Sequence, residues 1–216
     1  MKKNYEMDMC SGPILGKLLT FTIPLIFSGI LQLLFNAADV IVVGRFAGSQ
    51  SLAAVGSTTA LINLMINIFI GLSVGVNVIV ARYYGAKREK DVQDTIHTAM
   101  ALSIVSGLFL IIVGQLLSRP MLELMGTPDD VIDKSTIYMR IIFIGMPANM
   151  IYNFGSAILR AVGDTKRPLY FLTAAGVINV VLNLFFVIMF RMDVAGVALA
   201  TAISQAISAF LVILCL

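Results

Sequence analysis

Stretches free of Asp, Glu, Lys and Arg run over 18–38, 46–81, 95–118, 141–159, 168–190 and 194–216, each dominated by Leu, Ile, Val, Ala, Phe and Gly. At about 1.5 Å per residue, such runs reach the roughly 17 to 25 residues that cross a bilayer as helix. The first run continues past a single charge, Asp39, as far as Gly44. The pattern predicts an all-α, polytopic membrane protein with six transmembrane helices over 14–43, 52–81, 95–118, 135–159, 168–190 and 195–216, forming one membrane domain, 1–216.

The polar positions inside these runs are themselves patterned. Ser28, Gln32, Asn36 and Asp39 are spaced by four, four and three residues and share one helix face. Asn63 and Asn67 pair in the second run, Asn149, Asn153 and Ser156 in the fourth, Asn179 and Asn183 in the fifth, and Thr201, Gln205 and Ser208 in the sixth. A single such group serves as interhelical glue, worth about 0.6 kcal/mol on average. Five helices with polar faces exceed what packing requires, and a shared interior cavity would satisfy them together. Pro24 and Pro147 are expected to interrupt the first and fourth helices, each freeing a backbone carbonyl, as in the broken helices that line transport pathways. Gly71 with Gly75, and Ser103 with Gly107, have the small-xxx-small spacing that lets helices approach closely.

Composition fits this reading: 59% of residues are hydrophobic and 12% charged, with a mean hydropathy of +0.95. The first apolar run is too long for a cleaved signal peptide and shows no small-residue cleavage pattern. Of the Lys and Arg residues, Lys2, Lys3, Lys17, Arg82, Lys87, Arg88, Lys90, Arg160, Lys166 and Arg167 fall on one side of a six-span topology. Arg45, Arg119, Lys134, Arg140 and Arg191 fall on the other. The positive-inside rule then places both termini in the cytoplasm, in the plasma membrane. The net charge of +3 is spread over loops facing anionic lipid and is nowhere dense enough for nucleic acid.

Loops are short, the longest being the 118–134 segment with Pro120, Gly126 and Pro128, so no soluble domain is expected. Cys10 lies before the first span and Cys215 at the end of the last, a spacing that suggests neither a disulfide nor a metal site. His97, at the mouth of the third span, reads as a solvated residue. No HExxH, GxSxG, P-loop or cysteine cluster occurs, so neither an enzyme nor ATP-driven transport is indicated and no cofactor is expected. Ion gradients remain as the energy source. The chain stops at Leu216 inside an apolar run with no charged or aromatic flank, which predicts a chain cut in or just after its sixth helix. The alternative is a genuine short product.

Asp39 is the residue on which chemistry converges. A carboxylate at membrane depth requires compensation, by a proton or by a cation such as Na⁺ or an organic amine. Competition between a coupling ion and a cationic cargo for one carboxylate is the simplest chemistry of an antiporter. The bland alternative places Asp39, six residues before Arg45 and thus about 9 Å from it along the axis, in hydrated interface or capping a loop.

One ordered series of motifs spans the chain. It begins with Thr22-Ile23-Pro24-Leu25, Ala38-Asp39-Val40, Gly44-Arg45-Phe46-Ala47-Gly48 and Leu52-Ala53-Ala54-Val55-Gly56. Gly71-Leu72-Ser73-Val74-Gly75, Ala81-Arg82-Tyr83-Tyr84-Gly85, the run Leu159 to Pro168 and the pair Asn179 and Asn183 complete it. The series resembles the multidrug and toxic compound extrusion (MATE) transporters. That resemblance implies twelve helices in two six-helix lobes, this chain being the N-terminal lobe with the C-terminal lobe missing. It implies export of small cationic or amphipathic compounds coupled to H⁺ or Na⁺. It also implies a cavity formed by Gln32, Asp39, Asn153, Ser156, Asn179, Asn183 and Thr201, to which helical spacing adds Asn36, with Asp39 as the coupling and substrate carboxylate, Na⁺ being one ion it could hold, and Pro24 as a bending point. This chain departs from relatives that carry a second carboxylate in the fifth helix, where it has Asn183. A lipid-linked oligosaccharide flippase of the same superfamily would place several cations in the cavity, and the charge-free runs of these spans contain none. A half-size, self-assembling or non-transporting membrane protein is the remaining class.

Overall fold

The apolar runs fold as helix throughout the computed structural model, which describes residues 14–216; Lys2, Lys3 and Cys10 lie outside the described residues. Seven α-helices follow in order: α1 Ile14–Val42, α2 Ser49–Gly85, α3 Glu89–Leu124, α4 Asp129–Ile144, α5 Met146–Ala161, α6 Lys166–Leu184 and α7 Asp193–Ile213. Two π-helical turns, Val43–Ala47 and Phe185–Met189, prolong α1 and α6. Five of these units are individually long and apolar enough to cross a membrane, and α4 with α5, bent by 48°, make a sixth span when taken together. The chain is an all-α polytopic membrane protein.

Short connections make sequential spans antiparallel. Gly48 alone, at φ +88°, separates the first π-turn from α2. α2 and α3 run to 37 and 36 residues, about 55 Å each and well beyond the roughly 30 Å hydrocarbon layer. Their shared turn, with Arg82, Lys87, Arg88, Glu89 and Lys90, therefore stands clear of it.

Several expectations are corrected. The 118–134 segment is largely helical: α3 continues to Leu124 with Pro120 inside it, and only 125–128 lie outside helix. A proline this close to a helix end removes one ladder bond, and Arg119 braces the turn by pairing with Glu123 and Asp133, each at 3.0 Å. Pro24 does not interrupt α1, which is continuous through it. The Ser28 hydroxyl donates to the Pro24 carbonyl at 2.9 Å, giving that oxygen a second partner beside the helical ladder. Gly71 and Gly75 seat no neighbouring helix, since both are exposed and a Cβ at either would meet open space.

The other small pair does bring helices together. Ser103 and Gly107 are buried, and a Cβ on Gly107 would lie 2.3 Å from the Pro147 Cα. α3 thus presses its backbone into the start of α5, at the bend where Pro147 has no N–H to extend α4. The core gathers around this bend: Met139 and Phe143 of α4, Met146, Met150, Phe154, Ile158 and Leu159 of α5, and Leu110 of α3 are fully buried. The Asn77 amide donates to the Ala157 carbonyl at 2.7 Å, tying α2 to α5. α1 packs principally on α6, with Phe35 lying over Gly176.

Candidate functional site

Bending the fourth span at Gly145 turns one face of α5 toward α1, α2, α6 and α7. Between them lies a cleft of about 460 Å³, a volume that suits a drug-sized ligand. Gln32, Asn36 and Asp39 reach it from α1, Thr59, Asn63 and Asn67 from α2, and Tyr138 from α4. Asn149, Tyr152 and Asn153 come from α5, Asn179 from α6, and Thr201, Ser204, Gln205 and Ser208 from α7. The polar faces read from helical spacing therefore meet in one place. α3 contributes nothing to the lining.

The Asp39 end of the cleft is a hydrogen-bonded relay. The Asn183 amide donates to the Asp39 carboxylate and, at 3.2 Å, to the Asn179 side-chain oxygen. Asn179 in turn donates to the Thr201 hydroxyl at 3.2 Å, and that hydroxyl donates to the Val197 carbonyl at 3.0 Å. Four residues on α1, α6 and α7 are thus linked around one carboxylate. Asp39 and Asn183 each lie just before a π-helical turn, and the two turns pack against each other. A π-turn inserts an extra residue into the helical register, a device frequent at functional sites because it re-aims side chains.

Six of the eight predicted site residues, Gln32, Asn36, Asp39, Asn153, Asn179 and Thr201, line the cleft. Asn183 lies behind the wall, 1% exposed, as the partner of Asp39. Ser156, also 1% exposed, is absent from the lining; it sits on the packed face of α5 with Gly155 and Ala157. Asn63, Asn67, Asn149, Gln205 and Ser208 belong to the polar faces without having been singled out as ligands. Tyr138 and Tyr152 were missed, because a tyrosine in an apolar run carries no spacing signal of its own. Among the described residues no three His, Cys, Asp or Glu side chains gather to hold a metal ion. Asp39 with the neutral oxygens around it is a donor set suited to a proton or a hard monovalent cation.

Two polar clusters brace the ends of the bundle. At one end the Lys134 ammonium lies 2.7 Å from the Asp193 carboxylate, which also accepts from the Ser51 hydroxyl, joining the N-terminal ends of α2, α4 and α7. At the other, buried Asp164 accepts from the backbone N–H groups of Lys166 and Arg167 at 3.2 and 3.1 Å and pairs with the Arg167 guanidinium at 3.1 Å. Arg167 also donates to the Cys215 sulfur at 3.0 Å, so α7 is fastened to the start of α6.

Comparison with known proteins agrees with this architecture. The MatE family model matches residues 24–185. The chain is 35% identical over 198 residues to the probable multidrug resistance protein YoeA of Bacillus subtilis (strain 168), covering 90% of this chain and 42% of that protein. It superposes on a crystal structure of a MATE in the bent conformation with a TM-score of 0.85 and 26% identity, covering 91% of this chain and 44% of that one. On a MATE in the straight conformation the TM-score is 0.84 at 26% identity, covering 91% and 43%. The chain spans less than half the length of these relatives. With its family model matched over most of its length, its polar faces gathered into one cleft and its helices superposing on solved transporters, the chain belongs to the MATE family of multi-pass membrane transporters.

Proposed function

We propose that this chain acts as the N-terminal six-helix lobe of an ion-coupled antiporter that exports small cationic or amphipathic compounds, with a C-terminal lobe as its partner. The carrying observation is Asp39. It is the one carboxylate lining the cleft, held by Asn183 and bordered by neutral amides and hydroxyls. A carboxylate so placed exchanges between ion-bound and cargo-bound states, and the surrounding amides stabilise either without adding a charge that must itself be neutralised. H⁺ and Na⁺ both suit this set. The cleft lining contains no Lys, Arg or His, which favours a drug exporter over a flippase for anionic lipid-linked oligosaccharides.

Alternating access requires α1 to change shape, and Pro24 supplies the place. The missing N–H at Pro24 leaves the Thr20 carbonyl without its ladder donor, while the Thr20 and Ser28 hydroxyls bond back to the Gly16 and Pro24 carbonyls at 2.9 Å each. The backbone there is weakened on one side. We place the protein in the plasma membrane with its N-terminus in the cytoplasm, from the excess of Lys and Arg on that side.

The test is ethidium efflux from cells expressing the protein from its whole gene, with and without Asp39→Asn. The neutral amide keeps the shape and removes the exchangeable charge, so efflux should fall to the level of cells lacking the protein. Undiminished efflux by the variant would sink the proposal.

A further inference from the structure

The amides of the cleft fall into two groups. Asn179 and Asn183 spend their donors on Thr201, Asp39 and each other, and Asn153 spends its own on the carbonyl and side chain of Asn149. Gln32 and Asn36 on α1, and Asn63 and Asn67 on α2, face the same cleft and make no hydrogen bond to any described residue. All four side chains are exposed, so their donors and acceptors are open to whatever fills the cleft. Open donors and acceptors are thus arrayed along the α1 and α2 walls of the cleft.

We propose that this open amide wall recognises an uncharged, planar heterocycle bearing a lactam or imide edge, at a subsite distinct from Asp39. The inference rests on the reading of the protein as a transporter. A side-chain amide presents an acceptor and a donor side by side and pairs in two bonds with an adjacent N–H and C=O, as Asn and Gln do with the edges of nucleobases. A permanent organic cation offers such a wall no donor and is recognised by carboxylates and aromatic faces. The subsite carries no charge, and the rings of Phe35, Tyr138 and Tyr152 on the cleft lining supply apolar surfaces for a flat ligand to lie against. A neutral cargo then fills the amide wall without displacing the ion at Asp39, whereas a cationic cargo competes for the carboxylate.

The probes are 1,8-naphthalimide and N-methyl-1,8-naphthalimide, which are planar, neutral and fluorescent and differ by the imide N–H alone. Binding of each is measured by fluorescence to the full chain in lipid nanodiscs, with the signal of empty nanodiscs subtracted. The unaltered chain should bind the N–H compound about tenfold more tightly. Asn63→Leu with Asn67→Leu should abolish that ratio, and Asp39→Asn should preserve it. Equal affinity for the two compounds on the unaltered chain overturns the proposal without requiring any variant to fold. So does a ratio that survives loss of both asparagines, or one that vanishes with Asp39→Asn. The coupling role of Asp39 is judged separately: a preserved ratio alongside undiminished efflux by Asp39→Asn leaves the amide wall standing and removes only the antiport reading.

Discussion

Gly107→Ala should loosen the seam on which the cleft is built. The added Cβ would lie 2.3 Å from the Pro147 Cα, 2.9 Å from its nitrogen and 3.0 Å from its Cβ, whereas ordinary contact begins near 3.4 Å. The shortfall of 1.1 Å (3.4 minus 2.3) falls on backbone, so no side chain can rotate away and α3 must part from α5 by about that distance. Overpacking of this kind costs about 1–3 kcal/mol, a drop of roughly 2–12 °C in melting midpoint for a chain of this size. Gly71→Ala is the control: its Cβ meets nothing within 4 Å, and alanine improves helix propensity by about 1 kcal/mol. Circular-dichroism melting in mild detergent should show Gly107→Ala clearly below the unaltered chain and Gly71→Ala at or above it. Equal losses in both would refute the close-packing account of the bend, and with it the reason Asn149 and Asn153 face the cleft.

Two further outcomes follow from the ends of the bundle. Lys134 and Asp193 are each about one third exposed, so a double-mutant cycle with Lys134→Met and Asp193→Asn should give a coupling of about 0.5 kcal/mol that shrinks in high salt; zero coupling would deny the pair any part in holding α4 to α7. In a background with Cys10 and Cys215 replaced, an impermeant maleimide added to intact cells should label Thr127→Cys and spare Lys87→Cys. The reverse pattern would invert the proposed orientation.

Much of the architecture was legible because lipid makes polarity expensive. Runs without charge marked the spans, and polar residues at spacings of three and four marked faces that converge on one cleft. Asp39 announced itself by cost alone. What escaped was whatever depended on partners rather than on period. Ser28 and Asp39 stand on one stripe, yet Ser28 folds back on its own helix while Asp39 finds Asn183, 144 positions away. Two pairs of small residues with the same spacing have opposite fates, because nothing in the spacing says which face meets another helix: Gly107 carries Pro147 and Gly71 carries open space. Tyr138 and Tyr152 were silent, since only the bend in the fourth span turns them toward the cleft. The run from Leu159 to Pro168 served only as a mark of resemblance until Asp164 was seen holding the first turn of α6 and, through Arg167, the end of α7.

The lone carboxylate rides on the helix least committed to the rest of the molecule. Most of the apolar side chains of α1 face outward, and its principal helical neighbour is α6. Only Val42, at its end, carries α1 into the buried core that α2, α3, α4, α5 and α7 share. Short of that end, the seam with α6 fastens it, with Phe35 over Gly176 as its apolar contact and Asp39 to Asn183 as its polar one. If Asp39 exchanges an ion as proposed, a proton or cation arriving there would alter the strength of that fastening. On that proposal the carboxylate would be a latch: its occupant would set how firmly a single outer helix is held, at the cost of one hydrogen bond rather than of the fold.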